Sequence, residues 1–270
     1  MKNTLLLCRV FFDVKIMIEH GNYLLNVREE IGNGGFGLVE RVELYNSKGE
    51  RCPGQFARKR LADDPYIYTS QGVVRSDIIK RFEREILYQE KCPHKNIVPI
   101  YLHSMGNNNP WYLMDLADKD LSKEIKANRL NHDQKIHAFR CILSGVKCIH
   151  DNGLLHRDIK PRNVLKFNDT YKIGDFGLVK NLMQDPNSVV LTQINDPAMG
   201  TERYIAPECG GQQYSPQSDI YAIGVLLEDL AIDSKFDSII EKATNRRPAK
   251  RYTNVEEILN ELNSIIGGEK

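Results

Sequence analysis

Side chains that can move a proton and hold a cation are concentrated in the segment His156–Asn163. Its sequence, H-R-D-I-K-P-R-N, brings the carboxylate of Asp158, the ammonium of Lys160 and the amide of Asn163 onto one short loop. A second carboxylate follows in the triplet Asp175–Gly177, D-F-G, 12 residues after Asn163. One carboxylate can accept a hydroxyl proton, while the other binds a hard cation together with the amide oxygen. The two segments therefore predict phosphoryl transfer from a nucleotide.

A glycine-rich segment lies upstream, where G-N-G-G-F-G-L-V runs from Gly32 to Val39. Glycines let backbone N–H groups approach phosphate oxygens because no Cβ intervenes. A strand is predicted to follow this segment, whereas a helix follows the glycine motif of dinucleotide-binding folds. Glycine-rich hairpin turns also occur for structural reasons, so the segment is informative only together with the downstream motifs. We expect a loop that covers phosphates, with Phe36 at its tip shielding them from water.

Lys59 ends the sequence F-A-R-K on a predicted strand, and Glu85 lies on the predicted helix that follows, nine residues before His94. The two residues resemble the strand lysine and the helix glutamate of protein kinases, and this resemblance implies an ion pair close to those phosphates. Glu83 is the competing partner, and we expect it to face solvent. In a partly dry cleft, such a pair positions the lysine rather than adding much stability.

The composition is that of a globular chain with a sizeable core. The 270 residues are 41% apolar and 27% charged, with a formal net charge of +1. No strong field of either sign points to nucleic acid or a membrane as the main partner. Six cysteines without C-x-x-C spacing favour buried free thiols and a reducing, cytoplasmic compartment. Charges interrupt the apolar run 4–18, so we expect an extra strand or a packing extension there, not a membrane span.

Apolar periodicity predicts a strand-rich lobe over 23–116, after an extension over 1–22, and a helical lobe over 117–270. The predicted strands of the first lobe are Tyr23–Ile31, Gly37–Tyr45, Gln55–Leu61, Asn96–His103 and Pro110–Leu116. Its one predicted helix is Asp77–Lys91, with Ser76 as the N-cap. The predicted helices of the second lobe are Asp133–Asp151, Asp219–Leu230 and Asn254–Ile266. A linker near Leu116–Lys119 separates the lobes, and we expect a ligand in the cleft between them.

In combination, these motifs resemble those of the eukaryotic-type protein kinases. The resemblance covers 23–263 and is carried by G-x-G-x-x-G-x-V, the strand lysine, H-R-D-x-K-x-x-N, D-F-G and the A-P-E of Ala206–Glu208. It implies an α+β, bilobal fold with a small antiparallel sheet lobe and a larger, mostly helical lobe. The implied activity is transfer of the γ-phosphate of ATP to Ser/Thr hydroxyls of protein substrates, with autophosphorylation.

The resemblance assigns a role to each residue of the catalytic set. Asp158 accepts or orients the hydroxyl proton, and Lys160 contacts the transferred phosphate. Asn163 and Asp175 hold the metal ion, while Lys59 pairs with the phosphates of ATP. The implied cofactors are ATP and Mg²⁺, with Mn²⁺ as an alternative metal.

The resemblance also implies an adenine pocket, with Ala57 above the ring, Leu165 beneath it and Met114 at its back. The hinge is the segment Met114–Ala117, and its backbone groups near Asp115 and Ala117 would hydrogen-bond the adenine. The full set of expected ATP contacts is Ile31, Gly32, Asn33, Gly34, Gly35, Phe36, Gly37, Val39, Ala57, Lys59, Glu85, Met114, Asp115, Ala117 and Leu165.

Two features resemble the Ser/Thr branch of the family: Lys160, and G-T-x-x-Y-x-A-P-E over Gly200–Glu208. The resemblance further implies that Glu208 pairs with Arg251 and that a buried Asp219 anchors the catalytic loop. Dual Ser/Thr and Tyr specificity stays open as an alternative, as does a catalytically silent, nucleotide-binding regulatory module. A small-molecule kinase is disfavoured by the A-P-E sequence.

Arg157 precedes the catalytic aspartate, and a buried guanidinium needs an anion. In similar kinases a phosphate on the segment before A-P-E supplies it. The candidates here are Thr192 and, second, Ser188, with transient self-association for phosphorylation in trans. The alternative is a segment held by its own contacts.

The chain departs from the family in its large lobe. Only Ala231–Lys235 separate the Asp219–Leu230 helix from the next apolar run, so a typical αG region is missing. We expect this shortening to expose apolar surface on the neighbouring helix.

Overall fold

The structure is a computed structural model that describes residues 16–34, 37–62, 74–182, 202–211 and 213–267. Strands predominate before residue 116, and helices predominate after it. The strands are β1 (Ile16–His20), β2 (Tyr23–Gly34), β3 (Gly37–Asn46), β4 (Phe56–Leu61), β5 (Ile100–Ser104), β6 (Trp111–Asp115), β7 (Lys119–Asp120), β8 (Leu154–Leu155), β9 (Val164–Phe167), β10 (Thr170–Ile173) and β11 (Lys180–Asn181). The α-helices are α1 (Arg75–Glu90), α2 (Leu121–Lys126), α3 (His132–Asp151), α4 (Pro216–Leu230), α5 (Asp237–Ala243) and α6 (Val255–Gly267). The predicted α+β fold, with a small antiparallel sheet lobe and a larger helical lobe, is confirmed.

The sheet of the small lobe is antiparallel, in the order β1-β2-β3-β4-β6-β5. It has six strands, which are the five predicted ones and β1, a strand that overlaps the run 4–18 where an extra strand was one of the two expectations and that pairs with β2 from Ile16 opposite Val27 to His20 opposite Tyr23. The rest of the run 4–18 lies outside the described residues. Since β1 is part of the sheet, we propose that the small lobe begins at or before Ile16 rather than at residue 23.

Side-chain alternation along β4 and β6 gives the sheet two apolar faces. Ala57, Tyr112 and Met114 pack toward α1, in a cluster that includes Phe82 and Ile86. The opposite face buries a second cluster made of Leu25, Val42, Leu44, Trp111 and Leu113. Lys59 follows Ala57 by two residues, so its side chain leaves the sheet on the α1 side.

Helix α1 buries Ile78, Phe82 and Ile86, which recur every four residues. The buried face also carries Glu85 and Gln89, whose polar groups need partners. The predicted N-cap, Ser76, was wrong: the helix begins at Arg75 and its N-cap is Val74, which makes no side-chain cap hydrogen bond.

Helix α3 forms the centre of the large lobe. Asn131 and Gln134 close a capping box at its start. Phe139, Leu143 and Val146 on it are fully buried. Gly153, at φ +69°, reverses the chain after its last turn.

Helix α4 is buried around nearly its whole circumference, and α5 packs directly across it. Only 231–236 separate the two helices, with a short 3₁₀ turn at Ser234–Phe236, so the predicted shortening is confirmed. The expected exposure of apolar surface was wrong, because no large exposed apolar residue among those described belongs to α4. Within the described part of the chain, no helix combines the length and apolar character needed to cross a bilayer.

The contact between α4 and α5 predicts the effect of adding one methyl group. A Cβ at Gly224 would lie 2.7 Å from Ala243 Cβ and 2.8 Å from Thr244 Cγ2. We expect Gly224→Ala to lower the free energy of unfolding by about 1–3 kcal/mol through overpacking, despite the better helix propensity of alanine. Thermal unfolding would measure it, with Gly267→Ala as the control, because a Cβ at Gly267 would meet no described residue within 4 Å apart from its chain neighbours and the backbone of its own helix. Equal unfolding temperatures for the two variants would contradict this packing.

Candidate active site

The catalytic loop, residues 156–163 between β8 and β9, is anchored by the side chain of Asp219 from α4. The two carboxylate oxygens of Asp219 accept hydrogen bonds from the backbone N–H of His156 (2.9 Å) and of Arg157 (2.8 Å). His150 Nε2 lies 2.8 Å from the same carboxylate. Burial would raise the pKa of Asp219, but these partners outweigh it and hold that pKa below its ordinary value. The carboxylate therefore stays charged and fixes a loop in which Arg157 adopts a left-handed φ of +67°.

Two polar side chains of the loop, those of Lys160 and Asn163, converge on the carboxylate of Asp158. Asn163 Nδ2 donates to both the backbone oxygen and Oδ2 of Asp158, each at 2.8 Å, and Lys160 Nζ lies 2.9 Å from Asp158 Oδ1. Burial raises the pKa of Asp158, although Lys160 opposes this shift. A carboxylate with a raised pKa is a better proton acceptor than an exposed one.

Lys59 connects the small lobe to the segment after β10. Its Nζ lies 2.6 Å from Glu85 Oε1 on α1 and 3.1 Å from Asp175 Oδ1. Burial alone would lower the pKa of Lys59, but the carboxylates of Asp175 and Glu85 outweigh it and hold that pKa well above its ordinary value. The charge of Lys59 in turn lowers the pKa of Asp175. The competing partner, Glu83, instead accepts a hydrogen bond from the backbone N–H of Gly106.

The triplet Asp175–Gly177 is tied to both the catalytic loop and α1. Phe176 is buried and meets the ring of His156 edge-on, with centroids 5.3 Å apart. From α1, Arg81 Nε donates to the carbonyl oxygen of Gly177 at 2.6 Å. These contacts hold Asp175 in a left-handed conformation, φ +59°, with its carboxylate toward Lys59.

Oxygen donors for a hard cation remain after these contacts are made. Asn163 uses its Nδ2 on Asp158, which leaves Oδ1 without a protein donor among the described residues, and Asp175 bonds to Lys59 through Oδ1 alone. Across the described residues, no group of three His, Cys, Asp or Glu side chains is placed to hold a metal. A cation here would need phosphate and water for its other ligands, which is the way Mg²⁺ binds in nucleotide sites.

The predicted adenine-pocket residues lie in one apolar cluster drawn from both lobes. Ala57 and Met114 are buried in it, and Val39 and Leu165 pack against it partly exposed. Of the predicted hinge residues, Asp115 is the last residue of β6 and Ala117 lies two residues beyond it, and both are partly exposed. In the β2–β3 hairpin, Gly32, Asn33 and Gly34 pair with Val39, Leu38 and Gly37, while Ile31 is exposed. Gly35 and Phe36, at the predicted tip, lie outside the described residues.

Two side chains of this site escaped sequence reasoning. Tyr112 donates a hydrogen bond to Glu85 Oε1, and Arg81 holds Gly177. A tyrosine in a strand is ordinarily a core residue, but Tyr112 precedes Met114 by two positions and therefore shares its face. The two-residue spacing between Tyr112 and Met114 was therefore the sequence pattern that could have placed Tyr112 in this site.

The A-P-E segment is held to the rest of the large lobe by the predicted ion pair between Glu208 and Arg251. Arg251 Nη1 and Nη2 donate to the two carboxylate oxygens of Glu208 at 2.7 and 2.9 Å, and the Arg251 side chain is fully buried. Ser218 Oγ adds a third hydrogen bond to Glu208. The candidate phosphorylation sites Thr192 and Ser188 lie outside the described residues.

Comparison with known sequences agrees with this geometry. A family model for the protein kinase domain matches residues 25–262. The chain belongs to the protein kinase family. It is 31% identical over 74% of its length to the probable serine/threonine-protein kinase zyg-1 of Caenorhabditis briggsae. It is 34% identical over 76% of its length to the human serine/threonine-protein kinase Nek5.

A third similar kinase differs in its described specificity. The membrane-associated tyrosine- and threonine-specific cdc2-inhibitory kinase wee-1.3 of Caenorhabditis elegans is 28% identical over 90% of this chain. The chain covers 26%, 27% and 34% of the lengths of zyg-1, Nek5 and wee-1.3. The matches therefore support a kinase domain and do not decide which hydroxyl it modifies.

The Glu208–Arg251 pair predicts a pH-dependent stability. Burial would raise the pKa of Glu208, but its hydrogen bonds with Arg251 outweigh this and hold the pKa below its ordinary value. A depressed carboxyl pKa contributes stability above the unfolded-state value of about 4.3 and loses it as the pH falls through the folded-state value. Glu208→Gln, which leaves a buried guanidinium unpaired, should lower the free energy of unfolding by about 3 kcal/mol at neutral pH.

Denaturant unfolding from about pH 7 to pH 3 would measure this dependence. The difference between the wild-type protein and Glu208→Gln should be constant above about pH 5 and should shrink below about pH 4. A difference that does not change with pH would show that the Glu208 carboxylate charge is not the source of the stability.

Proposed function

We propose that this chain transfers the γ-phosphate of ATP to Ser/Thr hydroxyls of protein substrates, with Mg²⁺ as the metal. The observation that carries the proposal is the convergence of Lys160 and Asn163 on Asp158, beside a lysine shared between Glu85 and Asp175. A kinase relative without catalytic activity would have no need to keep all of these bonds.

Each group has a separate task in this proposal. Asp158 accepts or orients the proton of the attacking hydroxyl through its carboxylate, whose position Lys160 and Asn163 fix. Lys160 and Lys59 place positive charge beside the transferred phosphate and beside the phosphates that stay behind. Asn163 and Asp175 would hold the metal ion, whose bound charge neutralises the phosphate oxygens.

Specificity for Ser/Thr rests on Lys160 and on the sequence leading to A-P-E. The similar kinases zyg-1 and Nek5 are described as serine/threonine-protein kinases, whereas wee-1.3 is described as tyrosine- and threonine-specific. Dual specificity is therefore the second candidate, and the identity of the phosphorylated residue decides between them.

Replacing the proton acceptor tests the proposal directly. Purified protein incubated with ATP and Mg²⁺ should gain phosphate on Ser or Thr, detected by mass spectrometry. Asp158→Asn should lower the rate by roughly 100-fold or more, because it removes the general base. Asp169→Asn, in the exposed β9–β10 turn, is the matched control and should retain the full rate. Absence of transfer in the wild-type protein would contradict the proposed activity, and phosphotyrosine would favour dual specificity.

We further propose that a phosphate on the segment 183–201 orders the active arrangement. Buried Arg157 Nε and Nη2 have no hydrogen-bond partner among the described residues, and the guanidinium stacks 3.7 Å from the ring centroid of Tyr214. A buried guanidinium with nitrogens that lack a hydrogen-bond partner favours an anion beside it.

The phosphate is expected on Thr192 or, second, on Ser188. The double variant Thr192→Ala/Ser188→Ala should lose roughly ten-fold in activity, because one to three charge-assisted hydrogen bonds to the phosphate are lost. Ser264→Ala, on the exposed side of α6, serves as the control. Full activity of the double variant would mean that the segment is held by its own contacts. A per-molecule autophosphorylation rate that rises with protein concentration would support transient self-association.

A further inference from the structure

A buried tyrosine reaches the Lys59–Glu85 ion pair from the sheet. The hydroxyl of Tyr112 donates to Glu85 Oε1 at 2.7 Å, and this same oxygen lies 2.6 Å from Lys59 Nζ. Both Tyr112 and Glu85 are almost completely buried, at 1% and 4% exposure. One carboxylate oxygen therefore receives a neutral donor from β6 and a charged donor from β4.

The ring of Tyr112 fits this position by packing, independently of its hydroxyl. It lies 5.6 Å from the ring of Phe82 on α1, and its centroid is 6.0 Å from Lys59 Nζ. A phenylalanine would preserve both contacts. The hydroxyl adds only the bond to Glu85, so its contribution can be separated from that of the apolar ring.

The hydroxyl is a permanent donor. Burial and the adjacent Glu85 carboxylate both raise the pKa of Tyr112 well above its ordinary value. Because the phenol cannot ionise near neutral pH, its proton is always available to the carboxylate. Glu85 is then held in one rotamer even when Lys59 turns toward phosphate oxygens.

We propose that Tyr112 is a positioning residue, which fixes the Glu85 carboxylate, and through it Lys59 and α1, in the arrangement that binds ATP. The proposal rests on the proposed function of this site. Without the hydroxyl, Glu85 keeps only the bond to Lys59 of β4 among its described hydrogen bonds, and α1 loses the hydrogen bond that joins it to β6 through Glu85. The expected deficit is in ATP binding and turnover, with no change in affinity for the protein substrate.

Tyr112→Phe tests this, with Tyr252→Phe as a matched control. Tyr252 is also 1% exposed and donates to a glutamate, Glu261, at 2.8 Å, but in the large lobe. Both variants should lower the unfolding temperature to a similar extent. Only Tyr112→Phe should lower kcat/KM for ATP, by roughly ten-fold, the usual effect of losing a hydrogen bond to a charged group. An unchanged kcat/KM, or an equal loss in Tyr252→Phe, would overturn the proposal.

A double-mutant cycle separates positioning from a general loss of structure. The Kd of a fluorescent ATP analogue with Mg²⁺ is measured for Tyr112→Phe, Glu85→Ala and the double variant. If Tyr112 acts through Glu85, its substitution should have no further effect once Glu85 is alanine. Additive effects would reject the proposal. Because this cycle measures binding, it tests Tyr112 even if the wild-type protein transfers no phosphate, in which case the proposed function alone would fail.

Discussion

One ammonium group, that of Lys59, connects three parts of the chain that are distant in sequence. Its partners are Glu85 on α1 and Asp175 beyond β10. An isolated ammonium is costly to bury, and the two carboxylates offset that cost only while both lie within reach. The position of α1 and the conformation of the D-F-G segment are therefore coupled through this charge. Any phosphate that replaces a carboxylate beside Lys59 enters a site whose geometry is already set.

The site also holds backbone strain that the surrounding hydrogen bonds maintain. Arg157 and Asp175 are non-glycine residues in left-handed conformations. Such conformations cost roughly 1–3 kcal/mol each and persist only where neighbouring groups enforce them. Asp219 enforces the first through two backbone N–H groups, and the Arg81 contact with Gly177 helps to enforce the second. The backbone that carries Asp158 and Asp175 is thus held by Asp219 and Arg81, which have no assigned contact with substrate or metal.

The parts of the site that the residue pattern alone predicted are those encoded over short distances, whereas the long-range pairs Lys59–Glu85 and Glu208–Arg251 were predicted through the family resemblance. The spacing from Asp158 to Asn163 fits one tight turn, and the periodicity of Ile78, Phe82 and Ile86 selects Glu85 over Glu83 as the inward glutamate. Ser76 was mistaken for a cap because helix ends depend on the incoming chain rather than on residue type alone. The partner of Gln89 was not predictable, since its Nε2 bonds to the Val98 carbonyl at 2.8 Å in an irregular segment.

Contacts between residues on different strands and helices were the hardest to predict from the residue pattern. Tyr112 meets Glu85 only because β6 lies beside β4 and α1 crosses their shared face. The sheet order is a non-local property, and the strand pattern alone is compatible with several orders. The same limit applied to β1, whose pairing with β2 determines that it belongs to the sheet.

The shortened large lobe shows how packing can compensate for a missing element. α5 lies against Gly224, where the lack of a side chain allows contact with Ala243, and the apolar face of α4 is covered. Among the described residues of the large lobe, the exposed large apolar side chains are Leu182 and Ile205. Both flank the segment 183–201, one before it and one after it. The exposed apolar residues described on this lobe therefore lie, in sequence, before and after the segment that joins D-F-G to A-P-E. None of them lies in the shortened connection 231–236.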